Sequence, residues 1–235
     1  REYLGPVKSL LAAPLLAALR RWDARTSSRV DRYIAISRHV QQRIARFYGR
    51  SSEVVYPPVD TVRYTPGPGS GDGDYDLIVS ALTPYKRIDL AIQAYRETKT
   101  PLKIVGIGSE MARLRAMAGP GVHFLGWRDD REVLELYRGC RLLVFPGEED
   151  FGIVPLEAMA CGRPVVAFGR GGVLETVREG LSGVFFKDPD ACSLRAAVEQ
   201  AAGMRWDRAA IRAHAETFGV DQFLEGMAAG LNGLF

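Results

Sequence analysis

The sequence predicts an α/β fold: a parallel sheet with helices on both faces, preceded by a partial N-terminal segment. Three observations carry this. From residue 76 onward, short runs of apolar residues alternate with helical stretches, the pattern of consecutive βαβ units. The runs are apolar throughout, as strands covered on both faces are. Gly or Pro bounds them, so the chain turns where each strand ends.

The elements follow in order. Residues 1–66 hold helical and strand pieces. Residues 67–75 (GPGSGDGDY) read as a flexible Gly-rich linker. Strands are then expected at 76–82 (DLIVSAL), 102–106 (LKIVG), 122–126 (VHFLG), 142–146 (LLVFP) and 164–168 (PVVAF), with a sixth at 183–186 (GVFF). Helices are expected near 87–98, 109–118, 130–138 and 154–161, and again after 190. An aromatic and apolar stripe over 218–234 reads as helix packing.

Composition narrows the class. The 235 residues fit one large domain or two small ones, and 47% hydrophobic with 25% charged residues is ordinary for a globular chain. Cys140, Cys161 and Cys192 are scattered and odd in number, which argues against a disulfide frame or zinc spacing and for a reducing compartment. The net charge of +3 is uneven: residues 1–50 carry 11 Lys and Arg against 3 acids. This is either a solvated basic face or a surface for anionic lipid or an acidic partner. No aromatic-basic pattern accompanies it, so nucleic acid is not expected. The apolar run 10–19 (LLAAPLLAAL) is about half the length needed to span a bilayer. A chain starting at Arg1 reads as trimmed or as a fragment.

In a parallel sheet, ligands bind beyond the carboxyl ends of the strands. The loops there hold LTPYKR with Lys86 and Arg87, GIGSE with Gly106 and Gly108, GWRDD with Trp127 and Arg128, GEEDFG with Glu148, Glu149 and Asp150, and GRGGVLETV. Cations and helix N-termini suit phosphate. Carboxylates suit hydroxyl groups, as on ribose or a sugar. Together they suit a nucleotide sugar.

At 145–162, FPGEEDFGIVPLEAMACG resembles the retaining GT-B glycosyltransferases of family four, whose mark is E-x7-E, here Glu149 and Glu157. The flanks at 162–167 and 171–177, PYKRIDLAI, and upstream DRYIAISRHVQQRI and VVYPPVD are similar as well, so the resemblance covers nearly the whole chain. It looks closest to mannosyltransferase-like members of bacterial polysaccharide assembly.

The resemblance implies a Rossmann-like donor-binding domain at 76–217, a remnant of the acceptor domain at 1–66, and a C-terminal helical segment at 218–235 that crosses back. It implies transfer of a hexose such as mannose, with retention, from a nucleoside diphosphate sugar to a glycan or lipid-linked acceptor. It also implies a cytoplasmic location, peripheral at the inner face of a membrane, and no cofactor. Residue by residue, Glu157 would bond the ribose hydroxyls. Glu149 would face the transferred sugar as the catalytic carboxylate, and Lys86 would neutralise the diphosphate. Backbone N–H groups around Phe151, Gly152, Ile153 and Val154 would hold phosphate or sugar. Trp127 and Arg128 would lie where main chain reads the base, and the turn at Gly106 and Gly108 would touch donor phosphate.

Two positions depart from the family pattern. Ala81 stands where many members have an arginine, a role for which neighbouring Arg87 is the candidate. Asp150 replaces a glycine and would either reach a sugar hydroxyl or repel the diphosphate. The acceptor-domain sheet is not in the sequence, so the isolated chain is expected to bind nucleotide and to transfer sugar poorly. The alternative is a nucleotide-sugar-binding subunit completed by an acceptor-domain partner.

Other chemistries fit less well. G-I-G-S-E-M lacks the third glycine of a dinucleotide fingerprint. The D-x-D pairs Asp72/Asp74, Asp74/Asp76 and Asp188/Asp190 read as linker and helix cap, so no metal is expected. His39, His123 and His214 are isolated and read as structural or exposed.

Overall fold

The computed structural model describes residues 5–67 and 73–232. Residues 68–72 of the expected linker, with Asp72 of the first D-x-D, and residues 233–235 lie outside the described residues.

Six parallel strands form the central sheet: β3 (Asp76–Val79), β4 (Leu102–Val105), β5 (Val122–Gly126), β6 (Leu143–Phe145), β7 (Val165–Phe168) and β8 (Gly183–Phe186), in the order β5-β4-β3-β6-β7-β8. The intervening helices are α3 (Ile88–Ala94), α4 (Met111–Met117), α5 (Asp130–Gly139), α6 (Ile153–Ala160) and α7 (Val173–Thr176). After the last strand come α8 (Ala191–Gly203), α9 (Arg208–Glu216) and α10 (Val220–Leu231).

Alternate strand residues feed two cores, because successive side chains point to opposite faces. Leu77, Leu143 and Val165 pack with Tyr137, Met159 and Ile211 of α5, α6 and α9. Ile78, Val144 and Val166 pack with Ile92, Leu114 and Val198 of α3, α4 and α8. Burial on both faces is why the strands read as unbroken apolar runs.

Two expected boundaries move by three residues or more. The strand expected to reach residue 82 ends at Val79, and the helix expected over 87–98 runs only Ile88–Ala94 before a 3-10 turn, Tyr95–Glu97. Beyond Val79 the two loops pack closely: a Cβ on Gly106 would lie 1.9 Å from the Ser80 carbonyl oxygen, and one on Gly108 2.3 Å from that of Leu82. These glycines are therefore required by the approach of the two loops.

The N-terminal segment comprises α1 (Gly5–Thr26), β1 (Ile34–Ala35), α2 (Arg38–Tyr48) and β2 (Glu53–Val54), with β1 and β2 paired in parallel. Helix α10 returns to this segment. Gly226 faces Val55, Gly230 faces Ile34, and Arg32 donates to the Gly230 carbonyl. Leu10, Leu11, Leu15 and Trp22 of α1 are exposed. Among the described residues no helix is long and apolar enough to cross a membrane.

Candidate functional site

The strand order reverses between β3 and β6, and it is outside the carboxyl ends of the strands at such a reversal that the ligand crevice of a parallel sheet lies. The β3 loop supplies Lys86, in the 3-10 turn Pro84–Lys86. The β6 loop supplies Glu149. Gly147 lets them meet, since a Cβ there would fall 2.8 Å from the Lys86 Cα. Lys86 Nζ donates to Glu149 Oε1, and both side chains are mostly shielded. Tyr85 lies beside the same ammonium, 4.9 Å from its ring centre.

Glu157 sits in the second turn of α6. Its Oε2 accepts from the Tyr137 hydroxyl at 2.8 Å. Burial raises its pKa above the ordinary carboxylate value, and the hydrogen bonds from Tyr137 and Tyr64 oppose that rise. The helix opens on Gly152, in a left-handed conformation with φ 90°, followed by Ile153 and Val154, and Pro155 stands in the first turn. The backbone N–H groups of this turn have no partner within the helix and are available to an anion.

The remaining predicted residues fall into two sets. Gly106 and Gly108 lie against the backbone of Ser80 and Leu82 in the loop after β3. Trp127 is 66% exposed, and its carbonyl accepts from Arg128 Nη1 at 2.9 Å. The Phe151 side chain turns away from the crevice into an aromatic cluster with Tyr56 and Phe218. Arg87 takes a left-handed conformation (φ 52°), alone among the described non-glycine residues, and its Nε lies 3.3 Å from Asp89 Oδ1. Asp150 pairs with Arg43 of α2 at 2.5 Å, beside His39 at 3.9 Å. A cleft of about 430 Å³ lined by His39, Arg43, Phe47, Glu148, Glu149 and Asp150 separates α2 from this loop. His214 is buried against the Thr176 carbonyl, and burial lowers its pKa.

Sequence reasoning passed over Tyr137, Tyr64, Gly147 and Arg43, and met Glu175 only as the acid of the 171–177 flank, without a role. Tyr137 reads as core, and it is core; only its hydroxyl reports on Glu157. Gly171 and Gly172 were legible as a Gly-rich turn, but their reason is spatial: Cβ atoms there would lie 2.4 Å from the Glu149 oxygen and 2.2 Å from the Asp150 oxygen.

A parallel six-stranded sheet flanked by helices, with Lys86 and Glu149 paired at its switch point, has the architecture of the GT-B glycosyltransferases. The chain belongs to the glycosyl transferases group 1 family, whose model matches residues 70–218. It is 34% identical over 197 residues to a GDP-mannose-dependent alpha-(1-6)-phosphatidylinositol monomannoside mannosyltransferase of Mycolicibacterium smegmatis, covering 69% of this chain and 50% of that one. A D-inositol 3-phosphate glycosyltransferase of Geodermatophilus obscurus is 30% identical over 232 residues, 85% of this chain and 52% of the relative. The chain thus spans about half the length of these curated relatives. The crystal structure of Anabaena HepE in complex with UDP and glucose superposes with a TM-score of 0.77 at 24% identity, over 91% of this chain and 66% of that one, a likeness of fold.

Proposed function

We propose that this chain is the donor-binding half of a retaining family-four glycosyltransferase that moves a hexose such as mannose from a nucleoside diphosphate sugar to a glycan or lipid-linked acceptor. The observation that carries the reading is the Lys86–Glu149 pair over the switch point, with Glu157 on the adjoining helix. Lys86 and the α6 N-terminus would stabilise the departing diphosphate, where negative charge develops. Glu149 would support the anomeric carbon as it becomes positive. Glu157, with its hydroxyl partners in place, would accept from ribose.

The exposed leucines of α1 favour a second reading, in which a separate polypeptide covers that surface and supplies the acceptor site. Either assembly would work at the cytoplasmic face, with the basic α1–α2 surface towards anionic lipid.

Calorimetry against nucleoside diphosphates and their sugars, with GDP-mannose and UDP-glucose first, tests the proposal. The folded chain should bind at least one pair. Glu149→Ala should raise the Kd of the diphosphate sugar while leaving that of the free diphosphate nearly unchanged. A folded chain that binds none of the panel would refute the assignment.

Because Lys86 and helix N–H groups take the place of a cation, affinity should persist in excess EDTA. Lys86→Ala should weaken it roughly tenfold, within the range of a charge-assisted hydrogen bond. Binding lost on chelation and restored by Mn²⁺ would overturn that metal-independent role.

A further inference from the structure

The loop that carries Glu149 is gripped from both sides by the first turn of α2. Glu149 bridges in parallel to Gly171, and the Gly172 N–H donates to the Glu149 carbonyl at 2.8 Å. On the Glu149 side, the Ser37 hydroxyl caps α2 by accepting from the Val40 N–H at 3.0 Å. It also donates to the Asp150 carbonyl at 2.5 Å. On the Gly172 side, Glu175 accepts from the Arg38 N–H at 2.8 Å through Oε2 and from the His39 N–H at 3.0 Å through Oε1. The Tyr56 hydroxyl donates to the same carboxylate at 3.0 Å.

A carboxylate suits this place. The first N–H groups of a helix have no partner within the helix, and the helix dipole favours negative charge there. Glu175 satisfies two of them at once. Its own N–H donates back to the Gly172 carbonyl at 2.9 Å, which fixes the turn that supports Glu149. The first turn of α2 thereby holds both sides of one short bridge, Asp150 on one and Glu175 on the other.

We infer that Glu175 is a positioning residue for Glu149: it locks the Gly171–Gly172 turn to helix α2, so that the carboxylate facing the sugar is fixed relative to the N-terminal segment. The inference rests on the sugar-facing role proposed above for Glu149. Glu175 touches no donor in this scheme and acts through backbone, so its effect must vanish when the Glu149 side chain is gone.

The test is a double-mutant cycle read by calorimetry with a nucleoside diphosphate and its sugar. Glu175→Ala should raise the Kd of the diphosphate sugar relative to the free diphosphate by roughly tenfold, the scale of a lost helix cap. In the Glu149→Ala background the same change should add nothing. An equal loss in both backgrounds, or none in either, overturns the inference.

Arg38→Pro reaches the same contact from the other side. It deletes one donor at the first helical position, where proline is tolerated, and should shift the ratio in the same direction by roughly threefold. This variant serves if Glu175→Ala does not fold. Hydrogen exchange at the Gly172 amide needs no ligand. Exchange should quicken in Glu175→Ala or Arg38→Pro, and unchanged protection overturns the inference. If the wild-type chain binds no nucleotide, the proposed function falls while the exchange measurement still decides the role of Glu175.

Discussion

Asp76→Ala is expected to destabilise the chain by about 3–5 kcal/mol, the cost of leaving one partner of a buried ion pair alone. Asp76 is fully buried at the first residue of β3. Its carboxylate accepts from Arg141 Nε at 2.8 Å and Nη2 at 2.6 Å, and from the buried Tyr95 hydroxyl. Arg141 precedes β6, so this one acid ties the two strands on either side of the switch point. Removing it leaves the buried Tyr95 phenol without an acceptor and the partly exposed Arg141 guanidinium without its partner. Urea unfolding would read the loss as a lower midpoint at an unchanged slope. A loss below about 1 kcal/mol would show that the triad can repack, contrary to the desolvation argument. The contact lies at the amino ends of the strands, away from Lys86 and Glu149. Whatever fraction stays folded should therefore keep its nucleotide affinity.

That division of labour bears on how much the sequence discloses. All six strands were legible, because each is a short apolar run whose residues are buried on both faces. Their order was not: nothing in DLIVS or LLVFP says that the first strand of the sheet lies beside the fourth. Yet that adjacency brings Lys86 to Glu149 across 63 residues of chain. The Gly-rich turns were legible as turns, while the atoms that exclude a Cβ belong to loops distant in sequence. Arg87 gave no sign of its left-handed backbone, since arginine carries no preference for it. Asp150 was expected to reach a sugar hydroxyl or repel the diphosphate, and the sequence did not name the partner it has in the structure, Arg43. A charge's partner is set by tertiary placement, which spacing along the chain does not contain.

Glu157→Ala should weaken nucleotide binding by about 1.5–3 kcal/mol, one to two decades in Kd, if its carboxylate accepts from ribose. The loss should be specific. A 2′-deoxynucleoside diphosphate should bind the wild-type chain less tightly than its ribose counterpart, and the variant should no longer tell the two apart. Persistent discrimination in a folded Glu157→Ala chain would remove the ribose assignment. The same carboxyl makes an opposite prediction for the free protein. Burial raises its folded pKa above the unfolded value, so the folded chain holds the proton more tightly. The stability this gives is present at low pH and is lost as pH rises from the unfolded carboxylate range through the raised folded value. At pH 7 the ionised group therefore opposes folding. Glu157→Gln removes that charge yet keeps an oxygen for the Tyr137 hydroxyl. It should be no less stable than wild type at pH 7, and any gain should disappear below the unfolded carboxylate range, at about pH 3, where both side chains are neutral in the folded and unfolded chain. Thermal unfolding at the two pH values checks this. A Gln variant clearly less stable at pH 7 would mean that the carboxylate is held for the fold. One that is as stable but binds nucleotide poorly would mean that a strained, buried charge is kept because a ligand's hydroxyls complete its hydrogen bonding.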